Sequence, residues 1–263
     1  MPTDVVQMAK LRKVAVLAIT DHDTIAAHAE AIAAGQRLGV RVIPGIEISA
    51  LSQQGKEVHV LGYGVNPTDS NVRERIEILR DVREARARGM VTKLAGLGIH
   101  ISYDRIKALA GDAMIGRPHV AKVLLEGGFV SSIQEAFDKY LAEGKPGFVA
   151  HEGLTPPEAV QLIHRAHGAA VLAHPALFQG DLDALLAEVL AVGLDGIEGY
   201  YPMHTPAQTA QYLAIARKHD LVTTGGSDFH SISRDAENAI GSIVLPSGTI
   251  DALDERIRRY AVL

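Results

Sequence analysis

Twelve histidines occur in this chain of 263 residues, and several stand beside Asp or Glu near the ends of apolar runs. "VAVLAIT" leads directly into Asp21, His22 and Asp23. Glu47 falls in "VIPGIEIS", His59 in "EVHVLGYG", His174 in "AVLAHP", and Asp228 and His230 in "GGSDFH". Imidazoles and carboxylates are ligands for zinc, manganese and iron alike. Supplying them from separate strands fixes them rigidly, as a site with several metals requires. A lone histidine at a strand end is usually satisfied by structural hydrogen bonds, whereas this repeated placement points to metal. No cysteine is present, which excludes disulfides, thiolate zinc sites and cysteine nucleophiles. Ser227, beside Asp228, reads as a small turn residue rather than a nucleophile.

The elements that must position these groups follow from the apolar pattern. Strands are expected over 14–20, 40–49, 57–65, 169–175, 194–201 and 221–230. Helices are expected over 24–39, with Thr24 as N-cap, and near 156–167, 181–192 and 206–219. Such alternation predicts a parallel α/β architecture, in which the C-terminal strand ends form one face and build the site. Residues 66–147 break the pattern with a long charged helix, shorter helical stretches and no convincing strand. The expected division is therefore 1–65 with 148–263 as the α/β domain, and 66–147 as a helical insert.

Composition narrows the function. The hydrophobic fraction of 47% supports a full core, and the net charge of −5 provides no basic field for duplex DNA. No basic stripe with interleaved aromatics appears, although a short single strand could still be held through its phosphates. No apolar run approaches a membrane span, and "MPTDVVQMAK" lacks a signal peptide's apolar core, so the expected compartment is the cytoplasm.

Taken in order, "AITDHDT", "VIPGIEIS", "EVHVLGYG", "AVLAHP" and "GGSDFH" resemble the polymerase and histidinol phosphatase (PHP) family of metal-dependent phosphoesterases. The similarity runs through the insert, where "IGRPHVAKVLLEGGFVSSIQEAFDKYLAEGKPGFV" resembles the nucleotide phosphatase and 5′-3′ exoribonuclease branch. The resemblance implies a distorted (β/α)7 barrel with two or three divalent ions (Mn, Zn or Fe) at the C-terminal strand ends. It implies that His22, Asp228 and His230 ligate one metal, that His59 and His174 complete a second site, and that Glu47 bridges the two. A hydroxide formed on the metals, held by Glu47 and Asp228, would attack phosphorus in line. Asp21 and Asp23 would orient His22 and shape its turn. Arg117 and His119 in "GRPH" are nominated for phosphate or nucleotide contacts, with the insert as a substrate cap. Tyr201 and His204 in "GYYPMHTP" would line the pocket, and His151 could reach the same mouth.

The family's opening strand, with Asp-Leu-His-x-His-Ser and Ser-Asp-Gly, is not found here, so the first strand and three ligands are absent from this sequence. On the resemblance, the chain is a truncated form of an active enzyme or a degenerate member, expected to bind metal weakly and to turn over poorly. The implied substrates are nucleoside 3′,5′-bisphosphates or the 5′ ends of short oligoribonucleotides. The alternatives are a histidinol-phosphate phosphatase and a non-catalytic metal- or nucleotide-binding module. The sequence leaves oligomeric state open.

Overall fold

The computed structural model describes residues 1–111, 114–150, 153–230 and 239–260. Helix α1 (Pro2–Leu11) starts on a proline and precedes strand β1 (Val16–Ile19). Helix α2 (His28–Leu38) ends at Gly39, whose φ of 67° closes it with a bond to the Gly35 carbonyl. Strands β2 (Arg41–Leu51) and β3 (Glu57–Tyr63) follow. Helices α3 (Ser70–Gly96), α4 (Tyr103–Ala110), α5 (Arg117–Glu126) and α6 (Ile133–Ala136) come next. Helix α7 (Pro156–Arg165), strand β4 (Ala169–Leu172), helix α8 (Leu182–Ala191) and strand β5 (Gly196–Tyr200) come after these. Helix α9 (Pro206–Lys218), strand β6 (Val222–Gly225) and helix α10 (Thr249–Arg258) complete the order.

The chain divides into two compact units, Met1–Arg73 with Leu154–Leu263, and Glu74–Gly153. In the first, six strands form one mixed sheet in the order β1-β2-β3-β4-β5-β6. Ile43, Leu61, Val171 and Val222 share one apolar cluster with Val16 of β1 and with Leu253 and Ile257 of α10. Residues from both edge strands can meet in one cluster only because the sheet is curled. A second cluster joins α1 (Val6, Ala9) and α2 (Ala31, Ala34) to Ile19 and Val40. The other unit is helical and has its own core, built from Met90 and Leu94 of α3, Ile106 of α4, Leu124 of α5 and Leu141. Among the described residues, no helix is long and apolar enough to cross a membrane.

Two expectations need correction. The sheet is not wholly parallel: β3 runs antiparallel to both β2 and β4. The connection from Ser52 to Lys56 is too short for a crossover and closes a hairpin, with Ser52 N–H on the Lys56 carbonyl at 2.9 Å and Gly55 N–H on the Ser52 carbonyl at 2.8 Å. That hairpin also carries β2 on to Leu51, so Glu47 lies within a strand rather than at its end. Helix α2 begins at His28, four residues beyond Thr24, which does not cap it. The preceding residues are held to β2 instead: Asp23 N–H donates to the Glu47 carbonyl at 2.8 Å, and the Asp23 carboxylate accepts the Ser49 N–H at 3.1 Å.

Candidate metal centre

Glu47 is the centre of the arrangement, with its side chain buried. The turn after β1 reaches it by an isolated parallel bridge between His22 and Glu47. The antiparallel register pairs Ser49 with His59 and Glu47 with Leu61, so Glu47 and His59 share a face diagonally. His174 arrives from the end of β4, where the chain turns through φ 21° into Pro175.

The two carboxylate oxygens face different imidazoles. Oε1 lies 2.8 Å from His59 Nδ1 and 3.1 Å from His174 Nε2, and these two nitrogens are 3.2 Å apart. Oε2 lies 3.6 Å from His22 Nδ1. The His22 ring stands 4.8 Å from that of His59 and 5.6 Å from that of His230. His230 Nδ1 is 3.4 Å from the Asp228 carboxylate, whose other oxygen accepts the Tyr201 hydroxyl at 2.9 Å. Asp228 has a φ of 50°, a conformation uncommon for a residue with a side chain.

Burial alone would push the Glu47 carboxyl up, but His59, His174 and His22 outweigh it and hold Glu47 well below the usual carboxylate range. Burial would likewise push His59 down, yet Glu47 and then Glu57 lift it to about 10. In the metal-free protein the His59 proton therefore balances the buried carboxylate. A cation can take the place of that proton. The ligand atoms of His22, Glu47 and His59 all lie within 4.8 Å of one another, and this mixed nitrogen and oxygen donor set fits a divalent ion.

Asp21 contributes its backbone, accepting Glu47 N–H at 3.1 Å, while Asp23 braces the turn as described above. Tyr201 packs its ring 5.4 Å from that of His174. His204 sits between Tyr201 and Tyr212, with Nδ1 on the Gly199 carbonyl at 3.1 Å, and burial pushes its pKa down. Its Nε2 is buried with no hydrogen-bond partner among the described residues. Arg117 and His119 open α5 in the helical unit. Arg117 stands 5.9 Å from the centre of the Phe137 ring, and His119 Nδ1 accepts Gly116 N–H at 3.0 Å, capping the helix. His151 lies outside the described residues. Glu198, which the sequence motifs do not single out, is a buried carboxyl on β5 whose Oε2 accepts the His174 N–H at 2.8 Å. Burial lifts Glu198 to about 8. Its signal was a charged residue in the middle of the otherwise apolar "GIEGY".

No family model matches the chain. It is 35% identical over 234 residues to the 3′,5′-nucleoside bisphosphate phosphatase of Chromobacterium violaceum, covering 88% of this chain and 82% of that protein. It is 36% identical over 232 residues to the 5′-3′ exoribonuclease of Haemophilus influenzae, covering 87% and 84% respectively. Among solved structures, a Bifidobacterium adolescentis protein described as a metal-dependent phosphoesterase superposes with a TM-score of 0.87 at 28% identity, over 97% of this chain and 91% of that one. At these identities and coverages, the chain belongs to the family of phosphoric ester hydrolases that the nucleoside bisphosphate phosphatase and the exoribonuclease represent.

Proposed function

We propose that this chain is a PHP-type metal-dependent phosphoesterase that acts on nucleotides, removing one phosphate from a nucleoside 3′,5′-bisphosphate or trimming short single-stranded RNA from its 5′ end. The observation that carries this reading is the division of Glu47, with His59 and His174 on one carboxylate oxygen and His22 on the other. That is the arrangement a bridging carboxylate needs. His59 and His174 would hold one divalent ion, and His22, Asp228 and His230 a second. Manganese, zinc and iron all suit the donors. Bound there, divalent ions would supply Lewis-acid stabilisation of the phosphoryl oxygens and an acidified water.

The remaining work falls to the chain's own groups. Glu47 stays ionised at neutral pH, because three imidazoles hold its pKa down, and so keeps its negative charge available to cations. Tyr201, donating to one Asp228 oxygen, leaves the other facing His230 and fixes that carboxylate's rotation. Asp23 pins the His22 turn to β2 through Ser49 and Glu47. Arg117, with its planar fork of donors, is proposed as a contact to substrate phosphate, together with His119. His204 is proposed to line the pocket behind Tyr201.

Phosphate release from a nucleoside 3′,5′-bisphosphate, a 5′-phosphorylated tetraribonucleotide and histidinol phosphate tests the proposal. Turnover of a nucleotide substrate that EDTA abolishes and Mn²⁺ restores is expected, with histidinol phosphate the poorest of the three. Hydrolysis indifferent to chelation would contradict the metal reading, and preference for histidinol phosphate would contradict the nucleotide reading.

A further inference from the structure

Glu198 occupies a costly place. It is 5% exposed, on a strand whose neighbours Gly196, Ile197 and Gly199 are also buried. A carboxyl group there must be matched by hydrogen bonds that offset its loss of water. Among the described residues, the bond it makes goes to the backbone of His174, not to a side chain.

The geometry of the sheet explains why. Strands β4 and β5 pair in parallel only through Val171–Gly196 and Leu172–Ile197, and the ladder then stops. One residue on, Ala173 N–H turns to the other neighbour and donates to the His59 carbonyl at 3.1 Å. His174 N–H faces β5, where the main chain no longer meets it. The Glu198 carboxylate fills that position at 2.8 Å. The β5–β6 register shifts between Glu198 and Tyr200, a bulge of the kind that re-aims a side chain. The bulged residue is Gly199, where a Cβ would approach Thr223 Cγ2 to 2.6 Å.

His174 needs such support. Its φ of 21° and ψ of 62° lie outside the regions that residues with side chains favour, and Pro175 restricts it further. Backbone conformations of this kind persist only where the surroundings over-determine them. The conformation aims the His174 ring at Glu47 Oε1, 3.1 Å away, and at His59 Nδ1, 3.2 Å away.

We propose that Glu198 is a positioning residue: by accepting the His174 N–H it locks the strained turn that presents the His174 imidazole to Glu47 and to the metal they share. The metal half of this statement rests on the function proposed above, and the locking of the turn does not. Glu198 acts through the His174 backbone rather than as a ligand. It sets how well one ligand is pre-organised, so its removal lowers metal affinity without removing a ligand.

Three variants separate the acceptor from its reach. Glu198→Gln keeps an acceptor oxygen at the same distance, Glu198→Asp keeps the carboxyl group but withdraws it by one methylene, and Glu198→Leu removes the acceptor at similar volume. Calorimetric titration with Mn²⁺ is expected to give an affinity within about threefold of wild type for the Gln variant. The Asp and Leu variants are expected to lose about 10- to 100-fold, the range seen when a group orienting a metal ligand is removed. In parallel, amide exchange of His174 is followed in EDTA, where no metal takes part. Exchange is expected to be about tenfold faster in Glu198→Asp than in wild type, and near wild type in Glu198→Gln. Wild-type exchange at His174 in the Asp variant would overturn the proposal, whether or not the Leu variant folds. Equal Mn²⁺ affinity of wild type and the Asp variant would overturn its link to the metal. Absence of Mn²⁺ binding to wild type, with the exchange difference intact, would instead overturn the metal reading and leave the turn-locking role standing.

Discussion

Two clusters in the α/β unit use the same residue types to different ends. At one end of β4 and β5, Asp195 is 3% exposed, and its Oδ2 meets His164 Nε2 at 2.9 Å and Ala170 N–H at 2.9 Å. Its Oδ1 accepts the Tyr260 hydroxyl at 3.1 Å, and the Tyr260 ring stacks on His164 at 4.2 Å. Each oxygen there has a donor that needs no ion. At the other end, Glu47 is surrounded by His22, His59 and His174, and among the described residues its charge is balanced by a proton on an imidazole. A carboxylate with dedicated donors is structural. A carboxylate ringed by imidazoles, which offer lone pairs as readily as protons, can exchange its protons for a cation. Counting histidines beside acids does not distinguish the two; counting the fixed donors does.

The comparison breaks most sharply at Glu47. Glu47→Ala is expected to abolish measurable Mn²⁺ binding by calorimetry while the protein stays folded by circular dichroism. Asp195→Ala should do the reverse. It strands His164, Ala170 N–H and the Tyr260 hydroxyl, so urea unfolding of the metal-free protein should show a loss of about 3 kcal/mol with Mn²⁺ affinity unchanged.

Protons sharpen the contrast further. His59 has a folded-state pKa of about 10 against an ordinary 6.5, because Glu47 outweighs its burial. Its contribution to metal-free stability is therefore complete below about pH 6.5 and is lost as pH rises through about 10. Glu47 is shifted the other way, from 4.5, so its contribution is present above that pH and is lost on acidification. Metal binding must displace the His59 proton, so Mn²⁺ affinity should rise by up to about tenfold per pH unit between pH 6.5 and 9. A flat affinity across that range would contradict the exchange of proton for metal. The smallest effect is expected of Tyr260→Phe, which removes one donor to Asp195. Thermal or urea unfolding should register about 1 kcal/mol, and the metal titration nothing.

Much of this was readable from residue pattern, because the strands are short apolar runs bounded by turn residues and helices. The strands that carry Glu47 and His59, and those that lead into His22 and His174, could each be placed to within a few residues. Strand direction was harder. The alternation of strands and helices argued for a parallel sheet, yet the connection of β2 to β3 is too short to cross over. That antiparallel pairing sets His59 diagonally across from Glu47. The roles of Asp21 and Asp23 were not separable in sequence, since Asp21 works through its carbonyl, whereas Asp23 works through its N–H and its carboxylate. His119 stood out as a possible phosphate contact, but its present partner, Gly116 N–H, is a helix-capping contact that spacing alone also permits. Glu198 was hidden because its partner is a backbone N–H that becomes available only where the β4–β5 ladder ends, an event that depends on tertiary register rather than on local pattern.

The central claim is that Glu47 and its imidazoles form a divalent-metal centre. It is tested most directly by calorimetric titration of Mn²⁺ into the EDTA-treated, dialysed protein, beside the Glu47→Ala variant. Saturable binding to the wild-type chain and none to the variant is the predicted result. Equal binding by both proteins, or none by the wild-type chain, would contradict it.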